Sequence, residues 1–214
     1  MHIPDGLLSP QTYLPAYAVA VPLWAYTVRR SAAGLDEALI PRLGVLTALA
    51  FVLSALMVPL PGGTSGHLVG VALLALAFGP WLAFLAYTVV LALQAVLFGA
   101  GGITALPVSA LAMGLLGGFV AAAIHRLLRN RHAAAAVIVA TWLSVVASAV
   151  VVALVLGLQP AIAHSDGSPL FFPFGPAVTV PAVVGPHLVL GLGEGVLTWL
   201  ILSRLQQRHW GDAP

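Results

Sequence analysis

The sequence predicts an all-α, polytopic membrane protein of seven transmembrane helices, with the N-terminus outside and the C-terminus in the cytoplasm. Three observations carry that prediction. Of 214 residues, 61% are hydrophobic and only 7% charged, against about 25% charged in a soluble domain, and the mean hydropathy is +1.07. Apolar runs of 18 residues or more recur along the chain, long enough to cross a hydrocarbon core of about 30 Å as helix. The third observation is where the arginines fall, and it depends on the spans themselves.

The apolar stretches run at roughly 11–28, 42–60, 66–79, 80–98, 104–125, 134–157 and 183–203. The third is short and meets the fourth at Gly79-Pro80, a helix-breaking pair, so a tight helical hairpin is expected there rather than one long helix. Counted this way, Arg29, Arg30 and Arg42 bracket the first loop, Arg126, Arg129 and Arg131 follow the fifth span, and Arg204 and Arg208 follow the seventh. Every arginine then lies on one face, the cytoplasmic one. The outer loops at 59–66, 99–104 and about 158–182 are rich in Gly and Pro, hold no Arg and carry one acid, Asp166. Irregular backbone at membrane depth is tolerated where it lines a cavity or is buried in protein. The opening residues lack the basic region of a signal peptide and read as a mature start. No internal repeat and no domain boundary is visible, so residues 1–214 read as a single transmembrane domain.

Composition also limits the chemistry. There is no Cys, which excludes disulfides and thiolate ligands, and all eight basic side chains are Arg. A phosphate-binding P-loop needs its Lys, so ATP hydrolysis by that route is excluded for this chain. A formal charge of +2 gives no reason to expect nucleic acid as a partner.

The histidines divide by face. His125, His132 and His209 stand among the arginines and read as solvated interfacial side chains. His2, His67, His164 and His187 fall on or near the outer face. Several neutral imidazoles on a chain without thiols suit Zn, Cu, Ni or Co. His2 is the sharpest of them. The Met1 amine, the His2 backbone nitrogen and the His2 Nδ1 can form consecutive chelate rings around one cation, provided the amide loses its proton. Three nearly coplanar nitrogens need one more imidazole to complete a square, the geometry of Ni(II) or Cu(II). His67 is the natural fourth ligand, because it follows a flexible outer loop on the same side.

Glu194 is the only acid inside a span, and an intramembrane carboxylate is a functional candidate by default. His187 lies two helical turns earlier on the same face. The pair reads either as a substrate tether and proton relay or, for Glu194, as hydrogen-bonded glue between helices. His164 and Asp166 in the long loop read either as an outer way in for cations or as a plain solvated loop.

Four stretches resemble one known family. The opening Met1-His2-Ile3-Pro4-Asp5-Gly6-Leu7-Leu8-Ser9-Pro10 is similar to the start of the CbiM/NikM family, the membrane-embedded substrate-binding components of energy-coupling-factor cobalt and nickel importers. Gly63-Thr64-Ser65-Gly66-His67-Leu68, Leu93-Gln94-Ala95-Val96-Leu97-Phe98-Gly99 and the run from His187 to Glu194-Gly195 add to the resemblance. The family implies seven helices with the N-terminal segment folded back into the bundle. It implies a metal held by the Met1 amine, the His2 backbone nitrogen, the His2 imidazole and the His67 imidazole. It implies no cofactor beyond the transported Co(II) or Ni(II), and a place in a prokaryotic cell membrane. The partners it implies are a transmembrane coupling (T) component, two cytoplasmic ABC ATPase subunits and a small extra membrane subunit. The chain departs from the family at Ala100, where His or Asp is frequent, and at Leu106-Pro107-Val108-Ser109, which replaces a Gly-Ala-Asn segment. Both departures fall beside the expected site, and cobalt and nickel are not separated by the sequence.

Two other classes are weighed against this reading. Gly63-Thr64-Ser65-Gly66 with a later His187 matches the Ser/His dyad of a rhomboid-like intramembrane serine protease, but leaves the opening Met-His unexplained. An ion-coupled carrier using Glu194 would need internal symmetry, and none is visible.

Overall fold

Seven helices make up most of the described residues. The computed structural model describes residues 1–32, 34–60, 64–130 and 132–207, so Gly63, Arg131, Arg208 and His209 lie outside the described residues. The helices are α1 (Pro10–Ala32), α2 (Leu39–Ala55), α3 (Val71–Phe78), α4 (Pro80–Phe98), α5 (Leu106–Leu128), α6 (Ala133–Gly157) and α7 (Pro176–Gln207). A small antiparallel hairpin interrupts them, β1 (Val58–Leu60) against β2 (Thr64–Gly66), with Pro59 opposite Ser65. The Pro- and Gly-rich stretch expected as an irregular loop thus pairs its flanks.

Four helical segments are long and apolar enough to cross a membrane: Pro80–Phe98, Leu106–Leu128, Ala133–Ala161 and Pro176–Gln207. Their outward surfaces carry large apolar side chains such as Val96, Phe98, Leu154 and Val189, as a lipid-facing surface requires. The third apolar stretch differs most from expectation. Helix occupies only Val71–Phe78 of it, about 12 Å at 1.5 Å per residue, and residues 67–70 are irregular. The reason is local. Gly70 has φ +81°, and a Cβ there would come within 2.9 Å of the Ala50 Cβ, so the chain must turn at this point and only glycine fits against α2. The chain turns again at Gly79, and Pro80 opens α4 at a position where its missing N–H costs nothing. Trp81 in that first turn meets Tyr26, and the Arg30 guanidinium stands 5.9 Å from the Trp81 ring. The α3–α4 corner therefore lies at the arginine end of α1.

The core sits where α3, α4, α5 and α6 meet around Phe84, Tyr87, Leu73 and Met113. Within α5, residues Ala110–Gly117 wind as a π-helix. A wide turn of this kind leaves backbone carbonyls short of helical partners, and the Ser144 hydroxyl from α6 donates to the Gly117 carbonyl at 2.7 Å. The α7 face turned to the bundle reads His187, Gly191, Glu194, Gly195 and Thr198, a stripe of helical period.

Residues 1–9 form no helix, yet Met1, Ile3, Leu8 and Ser9 are buried. Three separate parts of the chain hold this segment. The Ile3 carbonyl accepts from Gly102 N at 2.9 Å, and Asp5 accepts from Ile103 N and from both the amide and the hydroxyl of Thr104. Ser9 N donates to Gln159 Oε1 at the end of α6, and the Leu7 carbonyl accepts from Phe172 N. A Cβ on Gly102 would collide with the Asp5 carboxylate, so the closeness of the two segments depends on that residue having no side chain. The Thr104 hydroxyl bond holds the Asp5 carboxyl below its ordinary range.

Candidate metal centre

The buried N-terminal segment brings together nitrogen atoms 66 residues apart in the chain. The Met1 amine lies 2.8 Å from His67 Nε2. His67 Nδ1 donates to the Leu68 carbonyl at 2.8 Å, which leaves Nε2 unprotonated and able to accept from the amine. The His2 ring stacks on that of His67 with centroids 4.4 Å apart. Its Nε2 donates to Gln94 Oε1 at 2.8 Å. Gln94 is fixed in turn, because its amide nitrogen donates to Ser54 Oγ at 2.8 Å and Ser54 donates to the Ala50 carbonyl. With Nε2 protonated, His2 Nδ1 carries the lone pair, and this buried atom has no hydrogen-bond partner among the described residues.

The outcome is a set of neutral donors. Burial takes the Met1 amine from its ordinary 8.0 down to about 5, and burial, aided by the positive charge the N-terminus can carry, takes His2 down to about 4. Near neutral pH neither group carries a proton that a metal would have to displace. Among the described residues no cluster of three His, Cys, Asp or Glu side chains stands at metal-binding distance.

The residues singled out around this centre part company. Glu194 is 1% exposed, and its two carboxylate oxygens accept from Val69 N and Gly70 N, each at 2.7 Å. Its oxygens thus anchor the loop that carries His67. His187 packs edge-on to His67, centroids 6.3 Å apart, and its Nδ1 donates to the Val183 carbonyl one turn earlier at 2.7 Å. His187 lines a cavity of about 660 Å³ together with Met1, His2, Ala100, Phe172 and Phe174. His164 and Asp166 do not reach it. Both are exposed, and the Asp166 carboxylate accepts from the backbone and hydroxyl of Ser168 in its own turn. Of the two departures from the family pattern, Ala100 borders the cavity, and Leu106–Ser109 forms the first turn of α5 with Pro107, Val108 and Ser109 buried.

Sequence reasoning gave Gln94 no role. Its signal was a lone amide in an otherwise apolar span, the kind of residue that hydrogen-bonds between helices.

Fold and site together define an α-helical membrane protein that buries its own N-terminus among nitrogen donors. The family described as the cobalt uptake substrate-specific transmembrane region, CbiM, matches residues 2–211, and the chain belongs to that family. The cobalt transport protein CbiM of a Roseiflexus species is 34% identical over 217 residues, covering 96% of this chain and 82% of that one. The fused nickel transport protein NikMN of Rhodobacter capsulatus is 35% identical over 217 residues, covering 98% of this chain but 62% of its own length. A second fused relative, from Lactiplantibacillus plantarum, is 40% identical over 208 residues and is spanned to 63%. The chain thus corresponds to less than two thirds of these fused relatives. The crystal structure of a truncated transition metal transporter superposes with a TM-score of 0.92 at 37% identity, over 98% of this chain and 100% of that one. The serine-protease alternative built on Ser65 and His187 finds no support in these likenesses.

Proposed function

We propose that the chain is the substrate-binding membrane component of an ATP-driven, energy-coupling-factor importer of Co(II) or Ni(II). In this reading it spans the membrane seven times, N-terminus outside and C-terminus inside, as one substrate-binding domain. The metal is held from the outer side by the Met1 amine, the deprotonated His2 backbone nitrogen, His2 Nδ1 and His67 Nε2. ATP hydrolysis belongs to two cytoplasmic ABC subunits working through a transmembrane coupling component. The extra length of the fused relatives supports a further membrane subunit.

The observation that carries the reading is the 2.8 Å between the Met1 amine and His67 Nε2. Met1 N, His2 N and His2 Nδ1 form two adjoining chelate rings, which puts His67 opposite the amide and beside the amine. Neighbouring donors in a square, each about 2.0 Å from the metal, lie roughly 2.8 Å apart. The two nitrogens are already spaced as adjacent corners. Tautomers agree with the same assignment. The bonds to Leu68 and Gln94 leave lone pairs on the two ring atoms that the square requires.

On binding, the metal replaces the amine-to-imidazole hydrogen bond. The amide proton of His2 leaves to water at the outer face, and the rings release none. Titration of Ni(II) and Co(II) into the purified protein with native Met1, beside a version carrying one extra residue before Met1, tests the reading. The extension keeps every side chain and displaces the amine. Tight binding is expected to vanish; equal binding by both versions would place the centre elsewhere.

A further inference from the structure

We propose that His187 is a second metal ligand, a waypoint that takes the ion inside the cavity and hands it to the N-terminal square. The inference rests on the four-nitrogen reading above and deepens it. Among the described residues four buried side-chain atoms lack a hydrogen-bond partner: His2 Nδ1, His187 Nε2, Tyr87 Oη and Thr141 Oγ1. The two nitrogens belong to imidazoles that line the same cavity. His2 Nδ1 is accounted for as a corner of the square. His187 Nε2 is not.

Its chemistry is fixed by its neighbour. Nδ1 donates to the Val183 carbonyl on the same helix, so Nε2 carries the lone pair and points away from α7. His187 is 2% exposed. A buried acceptor left without a donor costs free energy, and α7 could have satisfied this position with an apolar side chain. Of the other side chains lining the cavity, Phe172, Phe174 and Ala100 carry no donor atoms, the Thr179 hydroxyl donates to the Phe174 and Gly175 carbonyls, and Met1 and Met57 offer thioethers, which suit softer cations than Ni(II). The square itself is partly closed to an arriving ion. His67 Nε2 is engaged by the Met1 amine, and the His2 amide becomes a ligand only after a metal already held nearby has lowered the energy of losing its proton. A free imidazole beside His67, ring centroids 6.3 Å apart, supplies that first hold. It replaces one water of the hydrated ion while the amine swings off His67. A waypoint lowers the barrier in both directions, so capture and release should both depend on it, and their ratio should move less than either rate.

The test is stopped-flow mixing of Ni(II) with the purified full chain, followed by the absorption band of square-planar nitrogen-bound Ni(II), with release measured against excess chelator. His187→Phe keeps the volume and removes the donor. It is expected to slow capture and release by about tenfold each, the lower end of what outer groups at metal sites cost, with the band unmoved. His187→Gln retains an amide donor for Val183 and a weak oxygen donor, and should fall between. In His67→Ala, weak residual Ni(II) binding is expected that disappears when His187→Phe is added. Wild-type rates in both single variants, or residual binding that ignores His187, would overturn the waypoint. A shifted or missing band in His187→Phe would overturn it as well, because it would make His187 part of the final centre or of the fold alone. Absence of any band in the wild type is a different failure, that of the four-nitrogen reading itself.

Discussion

Among the described residues two groupings of histidine and acid use the same kinds of side chain in opposite ways. In the loop after α6, Asp166 accepts from Ser168 two residues away, while His164 stays exposed. In the bundle, Glu194 accepts from Val69 and Gly70, separated from it by 125 and 124 residues, and His67 meets an amine 66 residues away. The first grouping shapes only its own turn. The second ties α7 to the loop before α3 and sets the position of the His67 ring at the proposed centre. Residue type alone does not separate a site from a surface turn; burial and the distance along the chain to the partner do.

The largest expected effect is the response of the buried grouping to protons. Exposed imidazoles and amines titrate near about 6.5 and 8, whereas burial holds the Met1 amine at about 5 and His2 at about 4. From pH 8 down to 5 only the amide proton should compete with Ni(II), so affinity should fall about tenfold per pH unit. That is roughly a thousandfold across the range, steepening below about 5 as the amine begins to bind a proton of its own. Isothermal titration across pH reads the slope directly. Additional proton steps near 6.5 or 8 would mean that the buried amine and imidazoles titrate like free ones.

Removing one corner of the square is the next largest effect. His67→Ala should lower Ni(II) affinity by more than about 100-fold, beyond what changes to supporting groups cost. Glu194→Gln keeps size and shape but sets an amide NH₂ against a backbone N–H. One buried donor is then unsatisfied, at a cost of about 1–3 kcal/mol. Ni(II) affinity should fall by about 10–100-fold, visible together with a lower melting temperature. The exposed grouping is the control. His164→Ala and Asp166→Asn should shift stability by no more than about 0.5 kcal/mol and leave the Ni(II) titration unchanged. A large loss of affinity there would erase the distinction between the two groupings.

These regions also differ in how far the sequence disclosed them. His2 and His67 could be singled out from the chain alone, because an amine, an amide and a ring at residue 2 are chelating by covalent structure, whatever the fold. The four long spans followed from hydropathy, and the break at Gly79-Pro80 from local stereochemistry. Gln94 and Gly102 were opaque, since their parts are defined by His2 and Asp5, which lie 92 and 97 positions away. The brevity of α3 was opaque for a related reason. Its apolar run looks continuous, and only the contact of Gly70 with Ala50 and the pull of Glu194 on the adjoining N–H groups stop the helix there. The π-wound turn of α5 leaves no mark on hydropathy at all.

The fixed tautomers of His2 and His67 have an electrical consequence. Because the rings are neutral before loading and stay neutral after it, the proposed centre gains two charges with the ion and loses one proton from the amide. It is left with one net positive charge near the outer side of the membrane. Carrying a single charge inward across 100 mV, negative inside, is worth about 2.3 kcal/mol. The membrane potential would then contribute to the inward step alongside ATP, and import through this centre should quicken as the membrane is polarised.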